Sequence, residues 1–205
     1  MGLKKEIRAT GCLQCELRAA ETDQDGGITF SGYAAVFHSW SEDLGGFREQ
    51  IAPGAFSEAI TSDDVRALWN HDANYVLGRN RSGTLSLKED EHGLRFTCKA
   101  PDTTWARDLR ESVKRGDVDS CSFGFETLRD SWRTLDGKDE RTLEKVRLLD
   151  VSIVTYPAYP ATTANVRSAA MVYTEHRALC GGTDTALTIL RNKLNLKEKE
   201  LIFHE

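Results

Sequence analysis

No stretch of this 205-residue chain approaches the run of about 18 apolar side chains that a membrane-crossing helix needs, so no membrane association is expected. Residues 1–25 also lack the apolar centre of a secretory signal, which points to work in a cytoplasm. Basic excess is missing as well: 27 Lys and Arg stand against 32 Asp and Glu, a formal charge of −5. Without a global positive field to gather phosphate backbones, nucleic acid is not an expected partner. The five cysteines (Cys12, Cys15, Cys98, Cys121 and Cys180) are odd in number and irregularly spaced, unlike the framework of a disulfide-stapled secreted domain, so reduced thiols are expected. Cys12 and Cys15 have the spacing of half a zinc knuckle or of a redox pair. No second CxxC and no HxxxH complete a ligand set, and no metal or cofactor is called for. Internal repeats and low-complexity stretches are absent too.

What is present fits one soluble domain with an appended tail. Residues 1–25 read as a polar N-terminal segment. A first strand is expected over Gly27–His38, with β-formers at Ile28, Phe30, Tyr33 and Val36, and with Gly32 marking a bulge or bend. A turn at Leu44–Phe47 precedes a short helix opened by Pro53 and running to about Ile60. A strand follows at Val65–Asn70. Leu85, Leu87, Leu94, Phe96 and Cys98 alternate around a polar turn and predict a hairpin. Asp102 or Thr103 can cap a helix whose Trp105, Leu109 and Val113 share a face, and Gly116 can stop it. Strands resume at Val118–Leu128 and Lys145–Thr155, separated by a charged connection at 136–140, until Pro157 and Pro160 end the last one. The ordered core is expected within residues 26–166, mostly strands with a few helices packed on them. In residues 167–205 a Gly181–Gly182 breaker precedes Leu187, Leu190, Leu194 and Leu201, the stripe of an amphipathic tail helix that either docks on its own domain or binds a partner.

Three segments put reactive side chains on or beside apolar strands: Leu68–Asp72, Ser120–Phe125 and Leu149–Ala158. Alternation turns Cys121, Phe123 and Phe125 to one face and Ser120, Ser122 and Gly124 to the other, so that the aromatics enter the core while the serines face a cleft, with Gly124 leaving room beside Ser122. Val146, Leu148, Val151, Ile153 and Val154 make a strand apolar on both faces, hence central, where Asp150 is partly buried and needs a partner. A serine nucleophile requires a base, and the base an orienting group. The order His71, Ser122, Asp150 matches no familiar serine-hydrolase order, and no GxSxG elbow exists, so spacing alone does not establish a triad.

The segments Ser31–Phe37, Pro53–Phe56, Asn70–Asp72, Gly116–Val118 leading into Ser122–Phe125, and Asp150–Val154 with Pro157–Ala158, taken in this order, resemble the prohead protease family of tailed bacteriophages, distantly similar to herpesvirus assemblin. The resemblance spans residues 26–166. It implies a mostly β (α+β) fold, a closed β-barrel core with surrounding helices, followed by the helical tail. It also implies a serine endopeptidase in which His71 is the general base, Ser122 the nucleophile and Asp150 the third member. Ser120 stands where the family commonly has Gly, which makes it a rival nucleophile. Cys121 is a third candidate by chemistry, although alternation sends it to the core. His38, His92, His176 and His204 match no motif and are expected on the solvated surface, Asp72 in a structural role, and Trp69 and Tyr75 in packing.

By the same resemblance the substrates are major capsid protein extensions or scaffolding protein, met inside the procapsid in the host cytoplasm. The enzyme also cleaves itself, with a cut at Arg167–Ala170 in a small-residue linker, and a homodimer is one expected state. Activity is expected to rise through about pH 6 to 7 as the free imidazole appears. The alternative is a non-catalytic scaffold or capsid-assembly module that keeps the fold.

Overall fold

The computed structural model describes residues 5–10, 18–20, 27–156 and 163–179. The readings made for Cys12, Cys15, Pro157, Pro160, Cys180, Gly181–Gly182, the leucine stripe at 187–201 and His204 lie outside the described residues.

The fold is mostly β. Its elements in chain order are β1 (Lys5–Thr10), β2 (Arg18–Ala20), β3 (Ile28–Val36), β4 (Phe47–Ile51), α1 (Ala59–Ser62), β5 (Arg66–Trp69), β6 (Asp72–Arg79), β7 (Leu85–Glu89), β8 (Gly93–Ala100), α2 (Thr104–Arg115), β9 (Ser120–Leu135), β10 (Lys138–Val154) and α3 (Thr163–Leu179). Among the described residues the strands form two sheets rather than one closed barrel. The first runs β1-β9-β10-β5-β6, with β4 also on β10, and the second runs β2-β3-β8-β7. Both line one core that includes Phe30, Phe56, Phe96, Phe123, Phe125 and Ile153. A barrel needs a hydrogen-bonded seam all the way round; here side-chain packing, not a ladder, joins the two sheets.

The hairpin β7–β8, strand β3 and helix α2 lie where the sequence pattern puts them. Ala106, Leu109 and Val113 form the buried stripe of α2, and Gly116 ends it at φ 79°. Thr103 precedes this helix without making a side-chain cap bond. Other expectations change. Phe47–Ile51 is a strand parallel to β10, not a turn running into a helix. The helix after Pro53 starts only at Ala59, after a series of turns. The charged connection at 136–140 is instead a tight turn at Asp136 (φ 51°) and Gly137 (φ 75°), which joins β9 and β10 into one long antiparallel ribbon. Positive φ at two Asp-Gly positions is the backbone of a type I′ hairpin turn. The flanking charges pair across the ribbon, Arg133 with Glu140 and Arg141 with Asp130.

The N-terminal segment also departs from its reading. Lys5–Thr10 pairs antiparallel with β9, and its alternate residues Glu6 and Arg8 face Phe125 and Phe123. These inward positions are charged rather than apolar. Arg8 reaches Glu49 Oε1 at 2.7 Å, and Arg141 Nη1 lies 2.8 Å from both Glu6 Oε2 and Glu49 Oε2. Burial alone would raise the Glu6 carboxyl, but the Arg8 and Arg141 charges outweigh it and hold Glu6 below the ordinary carboxylate range. At the other end, residues 167–170 belong to α3, with Ala169 and Ala170 buried, and are not a linker.

Candidate active site

Three backbone devices converge on one point of the first sheet. The first is the pairing of β9 with β10, which sets Ser122 opposite Ser152 and Gly124 opposite Asp150. Directly opposed residues of an antiparallel pair share a face, so the side chains of Ser122, Ser152 and Asp150 stand together beside Gly124 while Cys121, Phe123 and Phe125 enter the core.

The second device is a bulge. Leu148 lies opposite Phe125 and Asp150 opposite Gly124, so Leu149 is an extra residue in β10. Side chains two apart in a regular strand point the same way. Were residues 148–150 in regular alternation, without the bulge, Asp150 would follow Leu148 into the hydrocarbon core. With it, Asp150 swings to the face of Ser122, an instance of a bulge re-aiming a side chain. The switch is written in the residues themselves: the core positions are even at Val146 and Leu148 and odd at Val151 and Ile153.

The third device is the turn between β5 and β6. Trp69 pairs with Asp72, leaving Asn70 (φ 54°) and His71 (φ 57°) as a two-residue type I′ loop. Asn and His are among the residue types that tolerate this left-handed conformation best. Asn70 ties the loop to the end of β10: its N–H donates to the Ile153 carbonyl at 2.9 Å, and its Oδ1 accepts from the Thr155 N–H at 2.9 Å. β5 lies parallel to β10 with Leu68 beside Ser152, so the loop delivers the His71 ring over the serine face. The strand expected over Val65–Asn70 ends instead at Trp69, and Asn70 is the first residue of this turn. Asp72 opens β6, where its carboxylate accepts from the Asn74 N–H at 2.8 Å and not from the ring.

The resulting contacts form a chain. Ser122 Oγ lies 2.6 Å from His71 Nε2, and His71 Nδ1 bonds to Asp150 Oδ1. Ser152 Oγ donates to the same Asp150 oxygen at 2.9 Å and stands 3.1 Å from His71 Nδ1. Lys5 Nζ donates to the other carboxylate oxygen at 3.1 Å. Asp150 is 3% exposed. Its burial favours the neutral acid, but the hydrogen bond and charge of His71, the Lys5 ammonium and the Ser152 hydroxyl outweigh burial and hold it below the ordinary aspartate value. The carboxylate is therefore ionised, and an ionised acceptor at Nδ1 leaves Nε2 as the basic nitrogen facing Ser122.

Two expectations need correction. Ser122 does not open on a cleft: it is 1% exposed, and its hydroxyl also donates to the Arg8 carbonyl at 2.9 Å. Gly124 makes room for Asp150 rather than for Ser122, because a Cβ there would overlap Asp150 Oδ2 and stand 3.0 Å from Lys5 Cε. The rival nucleophiles sit elsewhere. Ser120 donates to Asp119 Oδ1 at 2.8 Å, and Cys121 is buried in the core. His38 and His92 are exposed, as expected, whereas His176 is half-buried and stacks on Trp132 at 4.0 Å. Trp69 packs on Tyr75, and Tyr75 on Trp105. Lys5, Asn70 and Ser152 join the site without a role expected from the sequence. The parity switch in β10 was the available signal for Ser152; Lys5 gave none, since its strand looked merely polar.

Residues 14–177 match the family described as caudovirus prohead serine protease. The prohead protease of Enterobacteria phage HK97 is 30% identical over 134 residues, which is 63% of this chain and 55% of the phage protein, so the chain spans about half the length of that curated relative. The bacteriophage T4 capsid assembly protease gives a TM-score of 0.49 at 10% identity, covering 74% of this chain and 97% of that one.

Proposed function

The chain belongs to the caudovirus prohead serine proteases, and from that premise we propose that it is a serine endopeptidase of capsid maturation in which Ser122 is the nucleophile, His71 the general base and Asp150 the residue that orients the base. The observation that carries this reading is the continuous hydrogen-bonded path from Ser122 Oγ through His71 to the buried Asp150. In the proposed mechanism the Nδ1–H of His71 is held by Asp150, and Nε2 takes the hydroxyl proton as Oγ attacks a peptide carbonyl. The imidazolium so formed lies against an ionised carboxylate and then protonates the leaving amine. Water activated by the same Nε2 releases the acyl group. Backbone amides near Ser122 or in the segment after β10 are the proposed oxyanion donors, each supplying about 3 to 4 kcal/mol.

The proposed substrates are capsid-protein extensions or scaffolding protein, cleaved inside the procapsid in the host cytoplasm. Self-cleavage is part of the proposal, but its site moves away from residues 167–170, because a protease engages extended backbone and that stretch is helical. The proposed arrangement keeps residues 26–166 as the catalytic domain, with β1 added to its sheet.

The test is co-expression with the capsid and scaffolding proteins of the same phage, read by intact mass. The native chain should shorten at least one of them, and Ser122→Ala should abolish cleavage while assembly proceeds, a loss of about 10⁶-fold in kcat. Processing that survives Ser122→Ala but stops on thiol alkylation would move the nucleophile to Cys121. Assembly with no processing by the native chain would leave a non-catalytic assembly module.

A further inference from the structure

We infer that Lys5, carried by the N-terminal strand, is a positioning residue of the site: its ammonium takes one oxygen of Asp150 so that the other is presented to His71. The inference rests on the catalytic reading above. Three independent features of the molecule support it.

The two carboxylate oxygens are divided between partners. Oδ2 accepts from Lys5 Nζ at 3.1 Å, while Oδ1 receives His71 Nδ1 and the Ser152 hydroxyl. A carboxylate gripped at both oxygens cannot turn about its Cβ–Cγ bond, so the imidazole meets a fixed acceptor. Next, the space for this grip is built in: a side chain at position 124 would strike both Asp150 and the Lys5 stem, and the residue there is glycine. Finally, Lys5 has no competing anion among the described residues. Glu126 lies opposite it in the β1–β9 register but is paired with Arg147 at 2.9 Å. Arg66, beside Asp150 in the parallel register, is turned to Asp64. Among the described residues, the ionisable groups on the Asp150 carboxylate are thus His71 from the β5–β6 turn and Lys5 from β1. The Lys5 side chain is 46% exposed against 4% for Asp150, so the ammonium keeps its hydration on one side while neutralising a buried anion on the other.

This arrangement affects the pH at which the site works. An unshared Asp150 would turn its full charge on the imidazolium. Shared with Lys5, it orients the ring while stabilising the imidazolium less. Lys5 lies outside the matched residues 14–177, so the family likeness does not reveal it.

The experiment uses the full chain, with Lys5→Met, Lys5→Gln and Lys5→Arg, and a fluorogenic peptide copied from the cleavage site mapped by co-expression. For Lys5→Met and Lys5→Gln the acid limb of kcat/KM against pH should move upward by about one unit, a loss of about tenfold on the limb itself, with a smaller loss at pH 8 from the released carboxylate. Lys5→Arg, which keeps the charge, should keep the native profile. A second readout needs no proteolysis: in the Ser122→Ala chain, the carboxyl ¹³C titration of Asp150 should shift to higher pH on Lys5→Met. An unmoved acid limb and an unmoved Asp150 titration would overturn the inference, whatever the rate at pH 8. If instead Ser122→Ala still cleaves the peptide, the serine-protease reading has failed, and the Asp150 titration reports separately on the ion pair.

Discussion

At the scale of single residues, the site depends on what position 124 leaves out. Asp150 occupies the volume that a Cβ at Gly124 would take, and Lys5 Cε crowds it at 3.0 Å. Gly124→Ala is therefore expected to push the carboxylate off His71. Displacements of about 1 Å at a catalytic contact can cost 10²-fold, so kcat should fall by about that factor with KM little changed, measured on a cleavage-site peptide. The backbone at Gly124 is ordinary strand, so thermal melting should move by only a few degrees, which separates the effect from unfolding. Ser122 and His71 were legible from the sequence because short motifs surround them. The reason for Gly124 was not, because its neighbour in space is 26 positions away on another strand, brought there by register.

At the scale of elements, the bulge in β10 and the two-residue turn after β5 do the aiming. Deleting Leu149 removes the extra residue but leaves Leu148 opposite Phe125 and Asp150 opposite Gly124, so regular alternation still holds the carboxylate on the Ser122 face. Processing should survive the deletion, read by intact mass, and its loss would show that the bulge sets more than the face. Leu149→Ala keeps the residue count, hence the bulge, and should retain activity. Much of the element inventory could be read from periodicity: β3, the β7–β8 hairpin, α2 and the apolar stretches of β9 and β10. What escaped has physical causes. β1 escaped because its inward residues are Glu6 and Arg8, satisfied by ion pairs that no hydrophobic pattern records. β4 escaped because Phe47–Ile51 offers only two apolar residues in five. The turn at Asn70–His71 escaped because its positive φ angles fall on non-glycine residues, and the extent of the β9–β10 ribbon because charged residues pair across it rather than forming a loop.

At the scale of the whole molecule, folding holds several carboxylates in their charged form. Glu6 and Asp150 both titrate below their ordinary values despite burial, because arginines surround the first, and His71 and Lys5 the second. The unfolded chain takes up protons on such groups near pH 4, whereas the folded chain resists until lower pH. Stability from these two groups is thus fully present above about pH 5 and is lost as pH falls through the folded-state values. The urea midpoint should be level from about pH 8 to 5 and decline steadily below about pH 4. A midpoint that holds to pH 3 would mean that these carboxylates are not ionised in the folded protein. The expected closed barrel gave way to two sheets over one core, which no local pattern distinguishes, since both arrangements bury the same alternating residues.

One consequence follows from the Arg8 carbonyl, 2.9 Å from Ser122 Oγ in a site where the serine is 1% exposed. The hydroxyl has a single proton and two acceptors, and an incoming electrophile finds the oxygen already roofed by the protein's own first strand. A fluorophosphonate reagent should accordingly label the resting protein slowly, at a pace governed by how often that strand lifts, and urea too dilute to unfold the domain should hasten the labelling.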